Sequence, residues 1–481
     1  MTRDMTYQAP VPIVLPRPGV VRRTRRLTRV ASLGVRHLGG KVLRRVLRRP
    51  VPGTDVAAGL RRCCETLGGT YVKVGQLIGS APGVFGDDWA REFRGFLDQG
   101  PAVPFRDVQR TIERELGRPL HESFAVFDEQ PVAAASLAVV HRATLPDGRV
   151  VAVKILRPGI EELVATDMDA LEPFLRWLTR RGIEAGFQLL QTTKGLREQL
   201  AEEIDLRNEA RTMDHFRGVF AAAGLDLIVI PDVHHDLTSQ RVLTMTFLDG
   251  VPVDDPDRLG PDHGVDPAPV IDQAFRAWFL TALRDGIFHA DIHAGNLFLL
   301  RDGRLGLLDW GIVGRLDPDT HLMLRRLAEA ALGDESGWDD IADHVLRLAP
   351  GAEAGTDLFG FTKDEITTLV RAQIEPILTR PFGEVGLSSL MMDQNTVREV
   401  VGREPMPPTK AARRERRKQM REWGRAMLEK DLLEQDWYRA NFLLGKQLLY
   451  LERYGVKYLA DVPLIADPEY IRGVLAEQSL G

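Results

Sequence analysis

The feature that most restricts the fold of this chain is a pair of polar motifs in its second half. The first, Phe288-His-Ala-Asp-Ile-His-Ala-Gly-Asn296, places an aspartate five residues before an asparagine. The second, Leu307-Leu-Asp-Trp-Gly311, follows after two short apolar segments. We predict that these segments, around Leu297 to Leu300 and Leu305 to Leu308, are strands. Three polar side chains therefore lie next to short strands: Asp291, Asn296 and Asp309.

Two carboxylates and an amide in this order are typical of phosphoryl transfer. That reaction needs a carboxylate near the attacking hydroxyl and oxygen ligands that hold magnesium against the phosphates. Asp291 suits the first role, and Asn296 and Asp309 suit the second. The spacing matches the catalytic loop and the Asp-Phe-Gly turn of protein kinases, with Trp310 in the Phe position. We therefore expect ATP and Mg²⁺ as cofactors.

A lysine upstream completes the pattern. Val151-Ala-Val-Lys154 ends an apolar strand, and a buried ammonium group without a partner costs several kcal/mol. A long polar helix predicted from about Leu196 to Phe220 carries Glu203, Asp205 and Glu209. We expect Glu209 to pair with Lys154 and to hold it against the phosphates. The alternatives are a lysine that reaches solvent and a solvated helix face.

The order of the predicted elements favours an α+β fold with two lobes, similar to that of protein kinases. Three short strands between Phe124 and Ile155 form an antiparallel meander, and the long helix and two later strands complete a small lobe. The remainder is mainly helical. We divide the chain into a loose arm rich in proline and arginine with a basic amphipathic helix (1–50), a helical extension (51–122), an antiparallel-sheet N-lobe (123–250) and a helical C-lobe with C-terminal helices (251–481). In the helical extension we predict breaks at Gly68-Gly69 and near Pro82-Gly83.

Three further motifs lie outside the general kinase pattern. They are Leu67-Gly-Gly-Thr-Tyr-Val-Lys-Val-Gly-Gln-Leu77, Pro131-Val-Ala-Ala-Ala-Ser136 and Glu203-Ile-Asp205. They resemble the Lys-x-Gly-Gln helix, the alanine-rich loop and the Glu-x-Asp motif of UbiB-type atypical kinases, a group associated with ubiquinone biosynthesis. The resemblance covers roughly Val56 to Asp319, and it is weaker around Trp437 to Asp461.

This resemblance implies roles for several residues. Lys73 and Gln76 would reach the nucleotide site from one helical face and partly block a peptide substrate. Glu203 and Asp205 would engage that helix or the metal. Backbone donors of the alanine loop would cover the phosphates; its members are Ala133, Ala134, Ala135 and Ser136.

The chain departs from the family pattern at a few positions. Val139 replaces a polar residue, and we expect its change to affect phosphate or helix contacts. Thr246 replaces the usual Glu in a presumed hinge from Leu243 to Gly250, where contacts to adenine are made largely by the backbone. Ile292 and Ala294 replace two prolines and leave the functional residues unchanged.

Three functions fit this sequence. The preferred one is an ATPase, or a kinase of a small or lipid-like substrate, that serves isoprenoid quinone or lipid metabolism. A small-molecule phosphotransferase of the antibiotic-resistance type also has a His-x-Asp loop, but the Lys73–Gln76 helix and the alanine loop argue against it. A nucleotide-binding scaffold with little turnover stays open. Ordinary protein-kinase activity is not expected, because there is hardly space for an activation loop between Asp309 and Pro318 and no Ala-Pro-Glu motif follows.

The charge is distributed unevenly although the formal net charge is only -5. The segment Arg17–Arg49 has more than ten basic residues and no acidic one, and a second basic cluster spans Lys410–Lys418. Such segments are typical of a solvated arm, of binding to an anionic membrane surface or of binding to nucleic acid; a nucleic acid partner is not expected. A basic amphipathic helix around Leu33 to Leu47 fits the membrane alternative.

The cysteines and the apolar segments indicate a cytoplasmic protein, soluble or attached peripherally to the inner face of the membrane. Cys63 and Cys64 are adjacent, so they cannot close a loop, and a reducing compartment is the default. No apolar run approaches the roughly 18 residues that span a bilayer. The substrate is not named by the sequence, and the oligomeric state, a homodimer included, stays open.

Overall fold

The computed structural model of the protein describes residues 7–46, 53–79, 87–93, 102–180, 184–259, 266–348, 362–384 and 435–477. The helices of these ranges are α1 (Val20–Val46), α2 (Gly53–Leu67), α3 (Thr70–Gly79), α4 (Asp87–Phe93), α5 (Phe105–Leu116), α6 (Leu120–Ser123), α7 (Ile160–Arg180), α8 (Glu184–Glu203), α9 (Leu206–Ala222), α10 (Ala268–Phe279), α11 (Pro318–Ala331), α12 (Ser336–Leu348), α13 (Lys363–Thr379), α14 (Gln435–Tyr458) and α15 (Pro468–Ala476).

The N-lobe is built on one antiparallel sheet. Its strands are β1 (Val126–Phe127), β2 (Ala133–Ala134), β3 (Ala138–Thr144), β4 (Val150–Leu156) and β6 (Val242–Thr246), in the order β1-β3-β4-β6 with β2 paired to β3. Because successive side chains of a strand point to opposite faces, Val151, Val153 and Ile155 pack with Ile112 of α5. Ala152 and Leu156 of β4 pack on the other face, towards the main core.

A break interrupts the helix that carries the predicted carboxylates. The sequence predicted one long helix from Leu196 to Phe220, but α8 ends at Glu203 and α9 begins at Leu206. Asp205 between them has an extended backbone and accepts a hydrogen bond from the backbone N–H of Arg207, so it caps α9. The prediction of a continuous helix is wrong here, because an aspartate competes for backbone donors and favours a helix start.

The C-lobe combines helices with two small sheets. One sheet has the order β5 (Ile228–Val229), β10 (Leu305–Leu307), β9 (Leu297–Leu300) and β7 (Gly250–Pro252), and the other pairs β8 (Ile287–His289) with β11 (Val313–Arg315). A π-helical turn, Leu280–Asp285, follows α10 directly. The predicted strands at both polar motifs are therefore confirmed, and so is the α+β fold with a small antiparallel N-lobe and a helical C-lobe.

The chain crosses between the lobes at residues 247–249. β6 belongs to the N-lobe sheet, whereas β7 pairs with β9 of the C-lobe. Thr246, at the end of β6, opposes Val151 of β4. This is the position that the sequence predicted for the hinge.

The N-terminal arm is packed against the N-lobe helices, which corrects the prediction of a loose arm. The backbone N–H of Ile13 donates to the carbonyl of Ala201 at 3.0 Å. Val11 and the Asn208 side chain exchange two hydrogen bonds, each of 3.0 Å. The arm is thereby fixed beside Glu209 on α9.

Helix α1 is longer than predicted, and its apolar face is used inside the molecule. It begins at Val20 rather than near Leu33. Leu33 is buried with Cys63, Cys64 and Leu67 of α2. Part of the apolar face that the sequence offered to lipid is therefore covered by a neighbouring helix, whereas Val35 stays 73% exposed. Binding of α1 to a membrane stays a prediction.

Glycines at 68 and 69 separate α2 from α3, as the sequence predicted. Their φ values of +68° and +52° lie in the left-handed region that favours glycine. The basic cluster Lys410–Lys418 and the predicted break near Pro82 lie outside the described residues. Among the helices that are described, none has the length and apolarity that a membrane span requires.

Candidate active site

Lys154 lies at the centre of the cleft between the lobes. β4 pairs with β3 and β6, so that Lys154 stands opposite Val140 and Leu243 in the middle of the sheet. Its Nζ lies 2.9 Å from both carboxylate oxygens of Glu209 and 3.0 Å from Oδ1 of Asp309. The structure thus brings together the lysine and the helix carboxylate that the sequence paired.

Asp309 has an unusual backbone conformation. Its φ of +52° makes it the one residue other than glycine with a positive φ among those described. Aspartate tolerates this left-handed conformation better than most residues. The backbone N–H of Gly311 donates to Asp309 Oδ1 at 3.3 Å, and that of Trp310 donates to Glu209 Oε1 at 3.3 Å. The turn therefore holds both carboxylates against Lys154.

The loop after β8 holds Asp291 and Asn296 in a fixed relation. The side-chain N–H of Asn296 donates to the backbone carbonyl of Asp291 at 2.9 Å. The backbone N–H of Asp291 donates to Nδ1 of His289 at 3.1 Å, and Nε2 of His289 lies 3.4 Å from the carbonyl of Leu308. His289 is thus held as the neutral tautomer that donates from Nε2. The two predicted motifs are joined through this ring.

Helix α3 places Lys73 beside the cleft. Lys73 Nζ lies 3.3 Å from Glu203 Oε2, and only 13% and 10% of the two side chains are exposed. Gln199 holds the other oxygen of Glu203 at 2.7 Å. Gln76 lies one turn along α3 and is half-buried. The implied contact between the Lys-x-Gly-Gln helix and Glu203 is therefore present.

Asp205 has a different environment from the one that the resemblance implied. Its carboxylate accepts hydrogen bonds from the Arg207 backbone at 3.1 Å and from the Arg207 guanidinium at 2.9 and 2.7 Å. These bonds cap α9 and hold the side chain at the helix start. The structure thus separates Asp205 from Glu203, because the helix break turns the two side chains to different partners.

The alanine loop forms a closed hairpin above the cleft. Ala133 and Ala134 pair with Val140 and Val139, and the Ala135 N–H donates to the carbonyl of Ala138 at 2.9 Å. Because this bond uses the Ala135 donor, the implied role of that N–H on phosphate does not fit this conformation. Ala133, Ala134 and Ser136 stay candidates as the resemblance implied.

Val139 points away from the cleft. It is buried in the outer N-lobe core with Ile112 and Phe124, whereas Val140, its neighbour in β3, stands opposite Lys154. The expectation that Val139 alters phosphate contacts is wrong, because alternate residues of a strand face opposite sides of the sheet. Its apolar side chain instead suits the core that it enters.

A lysine that the sequence analysis missed contacts the candidate base. Lys446 on α14 places its Nζ 2.5 Å from Asp291 Oδ1. One feature of the sequence could have revealed it: Lys446 lies on the apolar face of an amphipathic helix, three residues after Leu443 and four before Tyr450. Pairing it with Asp291 required the tertiary structure, since 155 residues separate them.

The electrostatics of the cleft follow from these pairs. Burial opposes the charged form of Lys154, but Asp309 and Glu209 outweigh it and raise its pKa above the ordinary value. Burial raises the pKa of Glu209, although Lys154 opposes this shift. For Asp309, Lys154 and Lys73 outweigh burial and lower the pKa. Asp309 thus stays a carboxylate at neutral pH.

The donor set of the loops fits a magnesium ion. Mg²⁺ prefers oxygen ligands and is often held by one or two protein groups together with phosphate oxygens and water. Asp309 keeps 41% of its side chain exposed. Asn296 uses its N–H₂ group on Asp291, which leaves its amide oxygen as an acceptor. Among the described residues no cluster of three or more His, Cys, Asp or Glu forms a site built of protein ligands alone.

The chain is similar in sequence to a family of atypical kinase-like domains and to several individual proteins. The profile of the ABC1 atypical kinase-like domain matches residues 95–338. An uncharacterized protein of Mycobacterium tuberculosis, Rv0647c, is 40% identical over 267 residues, which are 55% of this chain and 54% of that protein. An aarF domain-containing protein kinase of Arabidopsis thaliana, At5g05200, is 39% identical over 308 residues, 63% of this chain and 56% of that protein.

Two further similarities complete the comparison. A protein of Marinobacter nauticus named "Probable protein kinase UbiB" is 31% identical over 359 residues, 71% of this chain and 62% of that protein. The matches thus span between about half and two thirds of these relatives. Among solved structures, the complex of Rv3197 with erythromycin from M. tuberculosis aligns with a TM-score of 0.44 and 22% identity, over 84% of this chain and 94% of that one.

Proposed function

We propose, from the premise that the chain belongs to the ABC1 atypical kinase-like family, that it binds ATP with Mg²⁺ in the interlobe cleft and transfers the terminal phosphate to water or to a small or lipid-like substrate. The observation that carries the proposal is the contact of Lys154 with both Glu209 and Asp309. In kinases a lysine held by a helix carboxylate in this way contacts phosphate oxygens of the nucleotide.

Each residue has a stated part in this proposal. Lys154 would bind the phosphates, and Glu209 would keep its ammonium group in place. Asn296 and Asp309 would hold the metal, which supplies charge neutralisation between the phosphates when it is bound. Asp291 would orient the attacking oxygen and accept its proton. Lys73 would close the cleft from the side of α3 through Glu203.

The narrow space after Asp309 supports a substrate other than a peptide. Only residues 310–317 separate Asp309 from α11, and they include β11, which is paired with β8. A peptide-docking segment of the usual kinase kind has no room here. We therefore expect little labelling of unrelated proteins with γ-labelled ATP; efficient labelling of several would contradict this part of the proposal.

The substrate and its location are the finer part of the proposal. The family resemblance supports a role in isoprenoid quinone or lipid metabolism. Helix α1 offers exposed arginines to an anionic membrane, each of which contributes about 1 kcal/mol near such a surface; they are Arg22, Arg23, Arg25, Arg29 and Arg36. Sedimentation with vesicles that contain an anionic lipid, at low and high salt, tests this surface. Equal sedimentation after changing these arginines to glutamine would dismiss it.

ATP turnover by the purified chain tests the function. We expect release of phosphate with Mg²⁺ and none with EDTA, at a rate that anionic vesicles or a lipid-like acceptor increase. Tight binding of ATP without turnover under any of these conditions would contradict the enzymatic function and favour a nucleotide-binding scaffold. Absence of both binding and turnover would contradict the proposal as a whole.

A further inference from the structure

Helix α14 carries a lysine into the catalytic loop from the far end of the chain. Three side chains of the helix are almost completely buried in the C-lobe core: Leu443, Leu451 and Tyr454. They anchor the helix on both sides of Lys446. The Lys446 ammonium group also lies 5.9 Å from the ring centre of Tyr450, a distance typical of a cation–π contact. The position of this lysine is thus fixed by packing and does not depend on a flexible surface chain.

The lysine engages one oxygen of Asp291 and leaves the other. Its Nζ is 2.5 Å from Oδ1, and the two side chains are only 15% and 13% exposed. The second oxygen, Oδ2, lies 3.8 Å from Nε2 of His293, beyond hydrogen-bond distance. The main-chain carbonyl of Asp291 is held by Asn296. With the bond from its backbone N–H to His289, Asp291 therefore has three fixed contacts and one carboxylate oxygen that none of them uses.

The charges of the cleft divide into pairs with different tasks. Four carboxylates line it together with three lysines: Glu203, Glu209, Asp291 and Asp309 with Lys73, Lys154 and Lys446. Glu203 has Lys73 and Asp291 has Lys446, whereas Asp309 shares Lys154 with Glu209. Asp309 is also the more exposed of the two loop aspartates, at 41% against 13%. Asp309 is thus the more accessible aspartate for a cation, and Oδ2 of Asp291 is available to accept a proton.

We propose that Lys446 is a positioning residue for the transfer step: by holding Oδ1 of Asp291, it turns Oδ2 towards the attacking hydroxyl or water. The inference rests on the proposed function and names the residue that orients its base. In that step the attacking oxygen forms a bond to the γ-phosphorus, and the bond from that phosphorus to the bridging oxygen breaks. ADP leaves with the electron pair, and the proton of the nucleophile passes to Asp291.

The physical requirements of phosphoryl transfer favour a base that is held in a fixed position. Phosphoryl transfer depends on positioning and charge rather than on covalent catalysis by the protein, and a small displacement of a catalytic group can cost about 10²-fold in rate. The Lys446 ammonium group also sets a fixed positive charge against Asp291, 2.5 Å from Oδ1. The lysine thereby supports the orientation of Asp291.

Substitution of Lys446 in the 481-residue chain tests the inference. We expect Lys446→Met to lower kcat for ATP by about 10- to 100-fold and to change the Kd for Mg-ATP by less than about threefold, since no nucleotide-binding group is touched. Lys446→Arg keeps a cation and should recover part of kcat. The matched control is Lys457→Met on the same helix, which removes a lysine that contacts Asp254 instead and should leave kcat unchanged.

A double-mutant cycle separates positioning from a merely structural role. If Lys446 acts through Asp291, then Lys446→Met has almost no further effect on kcat in the Asp291→Asn background, where no buried carboxylate is left unpaired. Additive effects, an unchanged kcat or an increased kcat in Lys446→Met would overturn the inference and leave the proposed function standing. Wild-type protein that neither binds nor turns over ATP would overturn both.

Discussion

The two ends of the cleft are held by different means. At the nucleotide end, Lys154, Glu209 and Asp309 belong to the sheet, the helix and the turn of the kinase-like core, and they contact one another directly. At the acceptor end, Asp291 is held by Lys446 from α14, a helix outside the region that the family profile matches. A helix outside the matched region therefore contributes a side chain to this end of the cleft.

The same difference explains what could be predicted from the sequence. Lys154, Glu209, Asp291, Asn296 and Asp309 were found because their motifs have fixed spacings along the chain, and the structure places them in one cleft. Their roles with ATP and Mg²⁺ stay predictions. Lys446 was missed because a contact between helices that are distant in sequence leaves no local pattern.

The errors in the predicted fold can also be traced to particular residues. The break at Asp205 was missed because the apolar pattern continues through it, whereas the capping bond to Arg207 decides the backbone. The arm was predicted to be loose from its proline and arginine content, but Asn208 fixes it through two hydrogen bonds. Helix α7 lay in a stretch to which we assigned no element, although its apolar side is buried at Val164 and Met168.

The largest effect should come from the nucleotide end. Lys154→Arg keeps the positive charge, but a planar guanidinium cannot occupy the point between Glu209 and Asp309 that the ammonium group takes. We expect turnover to fall by about 10²- to 10³-fold, while the melting temperature changes little. Steady-state kinetics and thermal unfolding measure the two quantities. Lys363→Arg, at an exposed pair with Asp343, is the control and should keep wild-type turnover. Turnover near wild type in Lys154→Arg would contradict the role of Lys154 at the nucleotide end of the cleft.

A smaller effect should come from the histidine that joins the two loops. Burial lowers the pKa of His289 to about 4, below the ordinary value of about 6.5. Below pH 6.5 the His289 ring is protonated in the unfolded chain, whereas in the folded chain it stays neutral until about pH 4. The contribution of this ring to stability is therefore complete above pH 6.5 and is lost as the pH falls towards 4. We expect the free energy of unfolding to be about 2 kcal/mol lower at pH 5 than at pH 7 from this group.

Denaturant unfolding at the two pH values measures that difference. His289→Gln removes the titrating ring, so its free energy of unfolding should change less between pH 7 and pH 5 than that of the wild type. The same change in both proteins would show that His289 is not held neutral and that the loops are joined in another way.

An effect on stability of similar size should come from the arm beside Glu209. Asn208→Ala removes the two hydrogen bonds to Val11 and the buried bond to the carbonyl of Glu202. We expect a loss of about 1–3 kcal/mol in the free energy of unfolding, because buried groups lose their partners. Faster hydrogen exchange at residues 11–13 would locate the change. Exchange that is unaltered in the arm would mean that Asn208 does not fix it, and that the kinase-like core is independent of this extension.

The most direct test of the central claim is a titration of ATP binding against Mg²⁺ for the wild type and for Asp309→Asn. Asp302→Asn, in the exposed turn between β9 and β10, is the matched control because it removes a carboxylate that pairs only with its neighbour Arg304 among the described residues. The account predicts that Mg²⁺ strengthens ATP binding in the wild type and in Asp302→Asn, and that this effect is lost in Asp309→Asn. Equal dependence on Mg²⁺ in all three proteins would contradict the account, because Asp309 would then not belong to the nucleotide site.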